Sequence, residues 1–324
     1  MTTGLFLTPG AARTAYEAGV VHPLVTEGGI HFDVVGTCSA GAINGSFVAT
    51  GQVAELVEQW STWRDKDILR IDVAGLLRGA VLWAPSIMNN GPQRRGIIDR
   101  FIAGAALAPG VRFRTNLANL TTGRSDVFEW PGSPVPLAEG VDAAVAVPTL
   151  VHPKSIDGMQ YADGLTIDGC PLEQVLLEAG VERAFVVGVA PRARRPEPPK
   201  GPLAVALAAA EWNQFTETTR GLADAAAVNA RAERWRDAHR QARDAVTATT
   251  DDGGRRNQLL AAVDAAFERH NRGRRPPVEI VAILPDHHTK MFFGSFRPER
   301  SRQLIEDGRR DARAVLDRLA SEAA

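Results

Sequence analysis

Two candidate nucleophiles lie among small residues in the segment VVGTCSAGAIN, residues 34–44. A short apolar run that predicts a strand changes there into a run that predicts a helix. A serine at such a junction is typical of a nucleophile elbow, in which strained backbone lifts the hydroxyl above the sheet edge. The N-terminus of the following helix then directs its unpaired N–H groups and its positive end at developing negative charge.

Two adjacent residues each match only half of the elbow pattern G-x-S-x-G. Ser39 has Gly41 two residues after it but Thr37 two residues before it. Cys38 has a glycine two residues before it but an alanine two residues after it. This segment alone therefore leaves open chemistry on Ser39, chemistry on Cys38, or small residues that serve close packing only.

Two further segments carry groups that such a nucleophile would need. A glycine turn in LTPGAAR, residues 7–13, comes directly before a helical run and could direct backbone N–H groups at an oxyanion. Asp163 and Gly164 follow the short strand-like run MQYA, and a carboxylate there could act as a base on the elbow hydroxyl. Turn glycines and Asx-turn aspartates are also common loop features, which is the structural alternative.

Strand-like and helical runs alternate along most of the chain. This pattern predicts βαβ units, and therefore an α/β fold with a mostly parallel central sheet and helices on both faces. The strand-like runs are residues 4–8, 32–37, 111–117, 126–130, 159–162, 183–190 and 278–284. The clearest helical runs between them are residues 11–26, 40–50 and 171–180.

Residues 201–275 break this alternation, because they are rich in Ala, Arg and Glu and contain no strand signal. We predict two helices joined by the turn TTDDGGRR, entered through the proline-rich segment PRARRPEPPKGP. The strand-like runs on either side indicate that the insertion returns the chain to the sheet. We therefore expect one domain over residues 1–324, with a helical insertion at about residues 201–275.

Composition excludes several classes of protein. The chain has 324 residues, and its 37 Lys and Arg residues nearly balance its 38 Asp and Glu residues, so we expect no nucleic-acid partner. Two cysteines are too few for a disulfide framework and indicate a reducing compartment. The N-terminus lacks the pattern of a signal peptide, and no apolar run reaches about twenty residues. A cytoplasmic protein with at most peripheral membrane contact is the expectation.

The three chemical segments, in this order, resemble the patatin-like phospholipase family. That family has a G-G-G-x-R/K-G oxyanion turn after its first strand, a G-x-S-x-G elbow after its second, and a D-G-G/A motif that carries an aspartate. The resemblance extends to FDVVGTCSAGAIN, residues 32–44, to AVPTLVHPKSIDGMQYADG, residues 146–164, and to FRPERSRQLIEDGRRDA, residues 296–312. It therefore spans most of the chain, and the helical insertion is its least distinctive part.

The resemblance implies a three-layer α/β/α fold and a Ser–Asp dyad that needs no histidine, metal or cofactor. Ser39 corresponds to the nucleophile and Asp163 to its general base, which makes Cys38 the residue before the nucleophile. It also implies an oxyanion hole and supporting glycines. The oxyanion hole corresponds to Gly10, Ala11 and Arg13, and the supporting glycines to Gly41 and Gly164.

The sequence departs from the family pattern at several glycines. Pro9, Ala11 and Thr14 stand at glycine positions of the oxyanion turn, and proline has no N–H to donate. Thr37 replaces the glycine before the elbow, and Leu165 replaces the last glycine of the aspartate motif. Since losing one oxyanion donor costs roughly a hundredfold or more in rate, these changes favour a slow or specialised enzyme.

The resemblance implies a serine acyl hydrolase of the phospholipase, lipase or esterase type, acting on carboxylic esters of lipids through an acyl-enzyme. An acyltransferase or thioesterase would use the same intermediate. The lost glycines alternatively indicate a weakened relative that binds lipid or a partner. Nothing in the sequence indicates an oligomeric state.

Other residues have weaker claims on function. The apolar segments at residues 73–88 and 290–296, which include Leu82 and Phe293, could line an acyl pocket or meet a membrane surface, although core packing is the commoner explanation. His152 is a candidate third member of the site, but the dyad leaves it without a role. The adjacent residues His287 and His288 lack further ligands at metal spacing, so we expect no metal.

Overall fold

The structure is a computed structural model, and it describes residues 1–68, 70–71, 88–148, 150–190, 198, 200–272, 274–286 and 296–324. Within these residues, eight strands form one sheet and two more form a short antiparallel hairpin. The sheet has the order β10-β9-β1-β2-β5-β8-β7, and β6 pairs with β5. The strands are β1 Thr3–Leu7, β2 Val34–Thr37, β3 Arg70–Ile71, β4 Met88–Asn89, β5 Arg112–Asn119, β6 Arg124–Trp130, β7 Lys154–Ile156, β8 Met159–Asp163, β9 Arg183–Val187 and β10 Glu279–Ile283.

Helices precede and follow most strands of the sheet. The α-helices of the described residues are α1 Ala15–Thr26, α2 Gly41–Ala49, α3 Val53–Trp60, α4 Asp65–Ile68, α5 Gly91–Gln93, α6 Leu137–Ala144, α7 Leu172–Val175, α8 Pro202–Thr249, α9 Gly253–Asn271 and α10 Pro298–Ala323. Helix α5 continues as a π-helix over Arg94–Ile102. Single 3₁₀ turns occupy Ala11–Thr14, Gly164–Thr166 and Leu177–Ala179.

The two faces of the sheet bury separate apolar cores. Along β1, Leu5 and Leu7 belong to one core and Phe6 to the other, as expected when successive strand side chains point to opposite faces. Helices α1, α2 and α10 pack into the first core, while the residues around α7 and Ala225 of α8 pack into the second. These layers confirm the predicted three-layer α/β/α fold.

The predicted mostly parallel sheet is also confirmed. Strands β10, β9, β1, β2 and β5 run parallel to one another. The antiparallel strands β6, β7 and β8 extend the sheet beyond β5. Sequence reasoning missed β7 and the β3–β4 hairpin, because strands of two or three residues are too short to show a periodicity.

The pairing around β5 brings two strand ends together. Because β6 pairs with β5 over Phe113–Asn119, β2 and β8 share the other edge of β5. Thr37 at the end of β2 pairs with Thr115, and Asp163 at the end of β8 pairs with Leu117. Strand β8 is antiparallel to β5 while β2 is parallel to it, so β2 and β8 run toward each other and end on either side of Asn116.

The segment between β9 and β10 contains the two helices that the sequence predicts. Helix α8 has 48 residues and α9 has 19, with the turn between them at residues 250–252. No described residue of α9 is buried, whereas α8 contributes the buried residues Gln214, Thr218 and Ala225. One part of α8 therefore belongs to the body of the protein. The division of the chain into domains stays a prediction.

Candidate active site

Ser39 lies in the turn between β2 and α2. Its backbone φ angle is 56°, in the left-handed region that costs a residue with a side chain roughly 1–2 kcal/mol. The turn is closed by hydrogen bonds from the Gly41 amide to the Cys38 carbonyl (3.1 Å) and from the Ala42 amide to the Ser39 carbonyl (2.8 Å). Strain at a serine between a strand and a helix N-terminus is the geometry of a nucleophile elbow.

Close packing of α2 against the sheet explains the glycines of the elbow. A Cβ at Gly41 would lie 2.5 Å from the carbonyl oxygen of Leu7, so only glycine fits at the start of this helix. A Cβ at Gly45 would lie 2.3 Å from the methyl group of Thr37. Glycine at position 45 thus leaves room for the threonine that departs from the family pattern, and the Thr37 hydroxyl donates to the Arg114 carbonyl at 3.1 Å.

Asp163 is the last residue of β8, and its carboxylate faces the elbow. Ser39 Oγ donates to Asp163 Oδ2 at 2.6 Å. The Leu165 amide donates to Asp163 Oδ1 at 2.9 Å, so both carboxyl oxygens accept a hydrogen bond. The two side chains are buried, with Ser39 only 6% and Asp163 only 1% exposed. The structure therefore brings the two residues of the predicted dyad into direct contact.

Gly164 must be glycine because the chain passes close to β5 there. A Cβ at this position would lie 2.5 Å from the side-chain amide and from the carbonyl oxygen of Asn116. The Asn116 side chain is buried, and its Nδ2 donates to the Asp168 carbonyl at 3.0 Å, which ties β5 to the loop after the aspartate. Sequence reasoning missed Asn116; its position in the strand that separates the two motifs is the only signal that could have indicated it.

Burial raises the pKa of Asp163 to about 7, and the hydrogen bonds from Ser39 and from the Leu165 amide lower it in part. A carboxyl group whose pKa lies near neutrality can accept a proton and return it under ordinary conditions. The carboxyl group of Asp163 is therefore suited to general acid–base chemistry on the Ser39 hydroxyl.

Cys38 points away from Ser39 into the second core. Its side chain is fully buried, and its Sγ contacts the Asp168 carbonyl oxygen at 3.8 Å. Burial raises the pKa of the Cys38 thiol well above its usual range, and the nearby Asp163 raises it further. Because the thiolate is the reactive form, these surroundings disfavour Cys38 as a nucleophile.

The turn before α1 lies beside the elbow. The Cys38 amide donates to the Leu7 carbonyl at 3.1 Å, which joins the ends of β1 and β2. Ala11 has a φ angle of 48°, a second strained residue, while Gly10 is extended at 179°. Within the described part of the chain, the backbone N–H groups of Gly10 and Ala11 make no hydrogen bond. These two amides are available to an oxyanion.

Arg13, which the family resemblance groups with these amides, faces a different neighbour. Its guanidinium is buried, and Nη2 donates to Oε1 of Gln214 in α8. Arg13 does not line the described wall of the cavity beside Ser39, whereas Ala11 does. Sequence reasoning missed Gln214, because nothing in the repetitive composition of the insertion distinguishes this residue from its neighbours.

An apolar cavity opens beside the nucleophile. Its volume is about 60 Å³, and Ala11, Ser39 and Ala40 form one side of it. The remaining lining is almost entirely aliphatic or aromatic, and consists of Ile68, Gln93, Val145, Val147, Leu150, Val151 and Phe296. Such a wall favours an acyl group and disfavours a charged head group.

A second buried carboxyl group lies behind the elbow helix. Glu17 in α1 is fully buried, and its Oε2 accepts a hydrogen bond from Asn44 Nδ2 at 2.9 Å. Asn44 in α2 also donates to the Thr14 carbonyl at 2.8 Å and accepts from the Trp60 indole at 2.8 Å. Burial raises the pKa of Glu17 well above its usual range. This network, which sequence reasoning missed, ties α2 to the oxyanion turn.

Of the weaker candidates, the structure places Phe296, the last residue of the apolar segment 290–296, in the cavity wall. His152 is exposed, with its Nδ1 2.7 Å from the Pro153 carbonyl oxygen. Residues 73–87 and 290–295, including Leu82 and Phe293, lie outside the described residues, as do His287 and His288. Across the described ranges there is no group of three or more His, Cys, Asp or Glu residues that could hold a metal ion.

Comparison with known proteins agrees with this geometry. A sequence model described as "Patatin-like phospholipase" matches residues 5–176, more than half of the chain, from β1 through the elbow and Asp163. The chain belongs to the patatin-like phospholipase family.

Relatives among curated proteins carry family names without an assigned activity. The chain is 26% identical over 233 residues to uncharacterised NTE family proteins of Mycobacterium tuberculosis and Mycobacterium bovis. The alignment covers 71% of this chain and 60% of those relatives.

Among solved structures, the chain is similar to VipD from Legionella pneumophila, with 14% sequence identity and a TM-score of 0.46. That match covers 98% of this chain and 67% of the other.

None of the helices within the described residues is both long enough and apolar enough to span a bilayer.

Proposed function

We propose that this patatin-like protein is a serine acyl hydrolase that cleaves carboxylic esters of lipids through a Ser39–Asp163 dyad. The observation that carries the proposal is the 2.6 Å hydrogen bond from Ser39 Oγ to Asp163 Oδ2, made at a strained elbow between a strand and a helix. A pKa of about 7 for Asp163 supports its role as the base.

Acylation follows from this geometry. Asp163 accepts the proton of the Ser39 hydroxyl as Oγ attacks the ester carbonyl, and the first carbons of the acyl chain lie in the apolar cavity. The N–H groups of Gly10 and Ala11 and the N-terminus of α2 stabilise the oxyanion of the tetrahedral intermediate. The intermediate then collapses, and Asp163 returns the proton to the departing alcohol. An acyl group remains on Ser39.

Deacylation repeats the same proton transfers with water. Asp163 accepts a proton from the water molecule as its oxygen attacks the acyl carbonyl. Collapse of the second intermediate breaks the bond to Ser39 Oγ, which regains a proton from Asp163. The products are a fatty acid and the free enzyme. An alcohol or amine in place of water would give acyl transfer from the same intermediate.

Product analysis tests this proposal. Purified wild-type protein and the Ser39→Ala variant are incubated with p-nitrophenyl esters of increasing chain length and with phospholipid vesicles, with and without glycerol as an acceptor. We expect free fatty acid from the wild type alone. A new acyl glycerol that replaces the fatty acid would indicate an acyltransferase. Equal product from the Ser39→Ala variant would overturn the dyad, and a folded but inert wild type would favour lipid or partner binding.

A further inference from the structure

The oxyanion turn, residues 9–14, needs support from outside its own sequence. Pro9 and Ala11 replace glycines of the family pattern, and Ala11 nevertheless adopts a left-handed φ angle of 48°. A strained backbone of this kind persists only where surrounding contacts determine it. The direction of the Gly10 and Ala11 amides, and so the geometry of the proposed oxyanion hole, depends on those contacts.

Some of the support is local. The Arg13 amide donates to the Gly10 carbonyl at 3.0 Å, and the Thr14 hydroxyl donates to the Ala11 carbonyl at 2.7 Å. From the elbow helix, Asn44 Nδ2 donates to the Thr14 carbonyl at 2.8 Å. These bonds fix the backbone of the turn, and a further contact reaches the Arg13 side chain from another part of the chain.

The helical insertion supplies that contact. Arg13 is 6% exposed and Gln214 of α8 is 4% exposed, and the guanidinium donates to the amide oxygen of Gln214. Since arginine has donors only, this contact fixes which end of the Gln214 amide faces it. A hydrogen bond of this kind, shielded from water and made to a charged group, is among the stronger ones in proteins.

The side-chain nitrogen of Gln214 indicates that this glutamine has a role other than stability. Gln214 Nε2 is buried and has no hydrogen-bond partner among the described residues. Burying an unpaired amide N–H₂ destabilises the fold relative to an apolar side chain of similar size. A destabilising polar residue at a buried position is expected where one of its groups has a functional role. In Gln214 that group is the side-chain oxygen, which accepts a hydrogen bond from Arg13.

We propose that Gln214 is a positioning residue for the oxyanion turn, acting through the Arg13 guanidinium on the Gly10 and Ala11 amides. The helical insertion, through Gln214 of α8, would then contribute to the function of the acyl hydrolase as well as to its surface. The inference rests on the proposed function, which assigns those amides to the oxyanion.

The test compares Gln214→Met, which removes the acceptor at similar volume, with Gln214→Glu, which keeps an acceptor. The matched control is Gln241→Met, at an exposed position of the same helix. We expect Gln214→Met to lower kcat and the rate of fluorophosphonate labelling by roughly ten- to a hundredfold. KM should change little, and the rates are measured below the melting temperature of the variant, which should fall because buried Arg13 loses this hydrogen bond. Gln214→Glu should restore at least a third of the wild-type rate, and the control should match the wild type.

A double-mutant cycle tests the route through Arg13. If Gln214 acts through the guanidinium, Gln214→Met should have almost no further effect in an Arg13→Met background, because the two side chains then form one unit. Additive losses, or a Gln214→Met variant that labels at the wild-type rate, would overturn the proposal. The proposal would also be overturned if both Gln214 variants lost labelling rate only in proportion to their loss of folded protein.

Hydrogen exchange separates failure of this inference from failure of the proposed function. We expect faster amide exchange in peptides spanning residues 8–14 in Gln214→Met than in the wild type, and unchanged exchange in Gln241→Met. This readout needs no catalysis, so it holds even if the wild-type protein proves inert toward esters. Identical exchange in residues 8–14 of all three proteins would contradict the positioning role.

Discussion

The two buried carboxyl groups on either side of the elbow helix differ in what surrounds them. Glu17 and Asp163 are both almost completely shielded from solvent, and burial raises the pKa of both. Asp163 accepts from the Ser39 hydroxyl and from a backbone amide, which bring its pKa back to about 7. Burial keeps the pKa of Glu17 well above its usual range, although hydrogen bonds with Asn44 and Thr8 lower it in part.

This difference separates a structural carboxyl group from a chemical one. Burial favours the neutral form of Glu17, which can hold α1 against α2 as a hydrogen-bond partner without a charge. A group that titrates near pH 7 can exchange a proton with a neighbouring hydroxyl. The two carboxyl groups thus differ in the group that each contacts, which is the elbow hydroxyl for Asp163 and the Asn44 amide for Glu17.

The largest expected effect is the loss of hydrolysis when Asp163 alone is changed. Asp163→Ala should lower kcat for a p-nitrophenyl ester by roughly a hundred- to ten-thousandfold, because it removes the general base. Glu17→Gln keeps a neutral hydrogen-bonding group and should retain at least a third of the wild-type kcat. Similar losses in the two variants, measured in initial-rate assays on folded protein, would erase the distinction between the two sites.

The pH dependence of catalysis should follow the titration of Asp163. Only the ionised carboxylate accepts the Ser39 proton, so kcat/KM should rise about tenfold per pH unit below pH 7 and level off above it. Glu17→Gln should show the same profile, because burial favours the neutral form of Glu17 and glutamine resembles that form. A rate that is constant from pH 5.5 to pH 9, in buffers of matched ionic strength, would contradict Asp163 as the base.

Stability should show the opposite trend with pH. The unfolded chain ionises Asp163 near pH 3.8 and the folded chain near pH 7, so this group's contribution to stability is present at low pH and is lost as the pH rises to 7. Asp163→Asn removes that dependence. Its free energy of unfolding relative to the wild type should therefore increase by roughly 2–3 kcal/mol between pH 5 and pH 8 in urea titrations.

A variant at another buried polar position serves as the control for that measurement. Thr115→Val, at a fully buried position of β5, adds no titratable group and should shift the free energy of unfolding equally at both pH values. Asn116→Asp is unsuitable as a control, because it would add a carboxyl group. If Asp163→Asn also shifted stability equally at pH 5 and pH 8, Asp163 would have an ordinary pKa in the folded protein.

The smallest expected effect concerns Cys38. Its thiol lies in the second core, so Cys38→Ala should destabilise the fold by about 1–2 kcal/mol through lost packing while keeping at least a third of the wild-type kcat. Thermal unfolding and initial rates on the same preparation measure both effects. A loss of activity as large as that of Ser39→Ala would indicate that Cys38 takes part in catalysis.

The motifs of the candidate site could be predicted from the sequence because each lies within a few consecutive residues. The elbow around Ser39 and the aspartate motif at Asp163 were identified by resemblance, and the structure places them in contact. The strand runs were found for the same reason, since β1, β2 and β9 are continuously apolar.

The remaining features depend on contacts between distant parts of the chain. Asn116 matters because β2 and β8 end on either side of it, and Gln214 because α8 passes behind the turn that holds Arg13. The space beside Gly45 that admits Thr37 is likewise set by the packing of α2 on the sheet. No local pattern encodes such distances, so a single sequence predicts the reacting groups better than it predicts what holds them.

The most direct test of the dyad is to locate the labelled residue. Wild-type, Cys38→Ala and Asp163→Asn proteins are treated with a fluorophosphonate at pH 8, digested, and mapped by mass spectrometry. We expect a single adduct on Ser39 in the wild type and in Cys38→Ala, formed at least a hundredfold more slowly in Asp163→Asn. An adduct on another residue, or labelling of Ser39 at the same rate without the Asp163 carboxylate, would contradict the Ser39–Asp163 dyad.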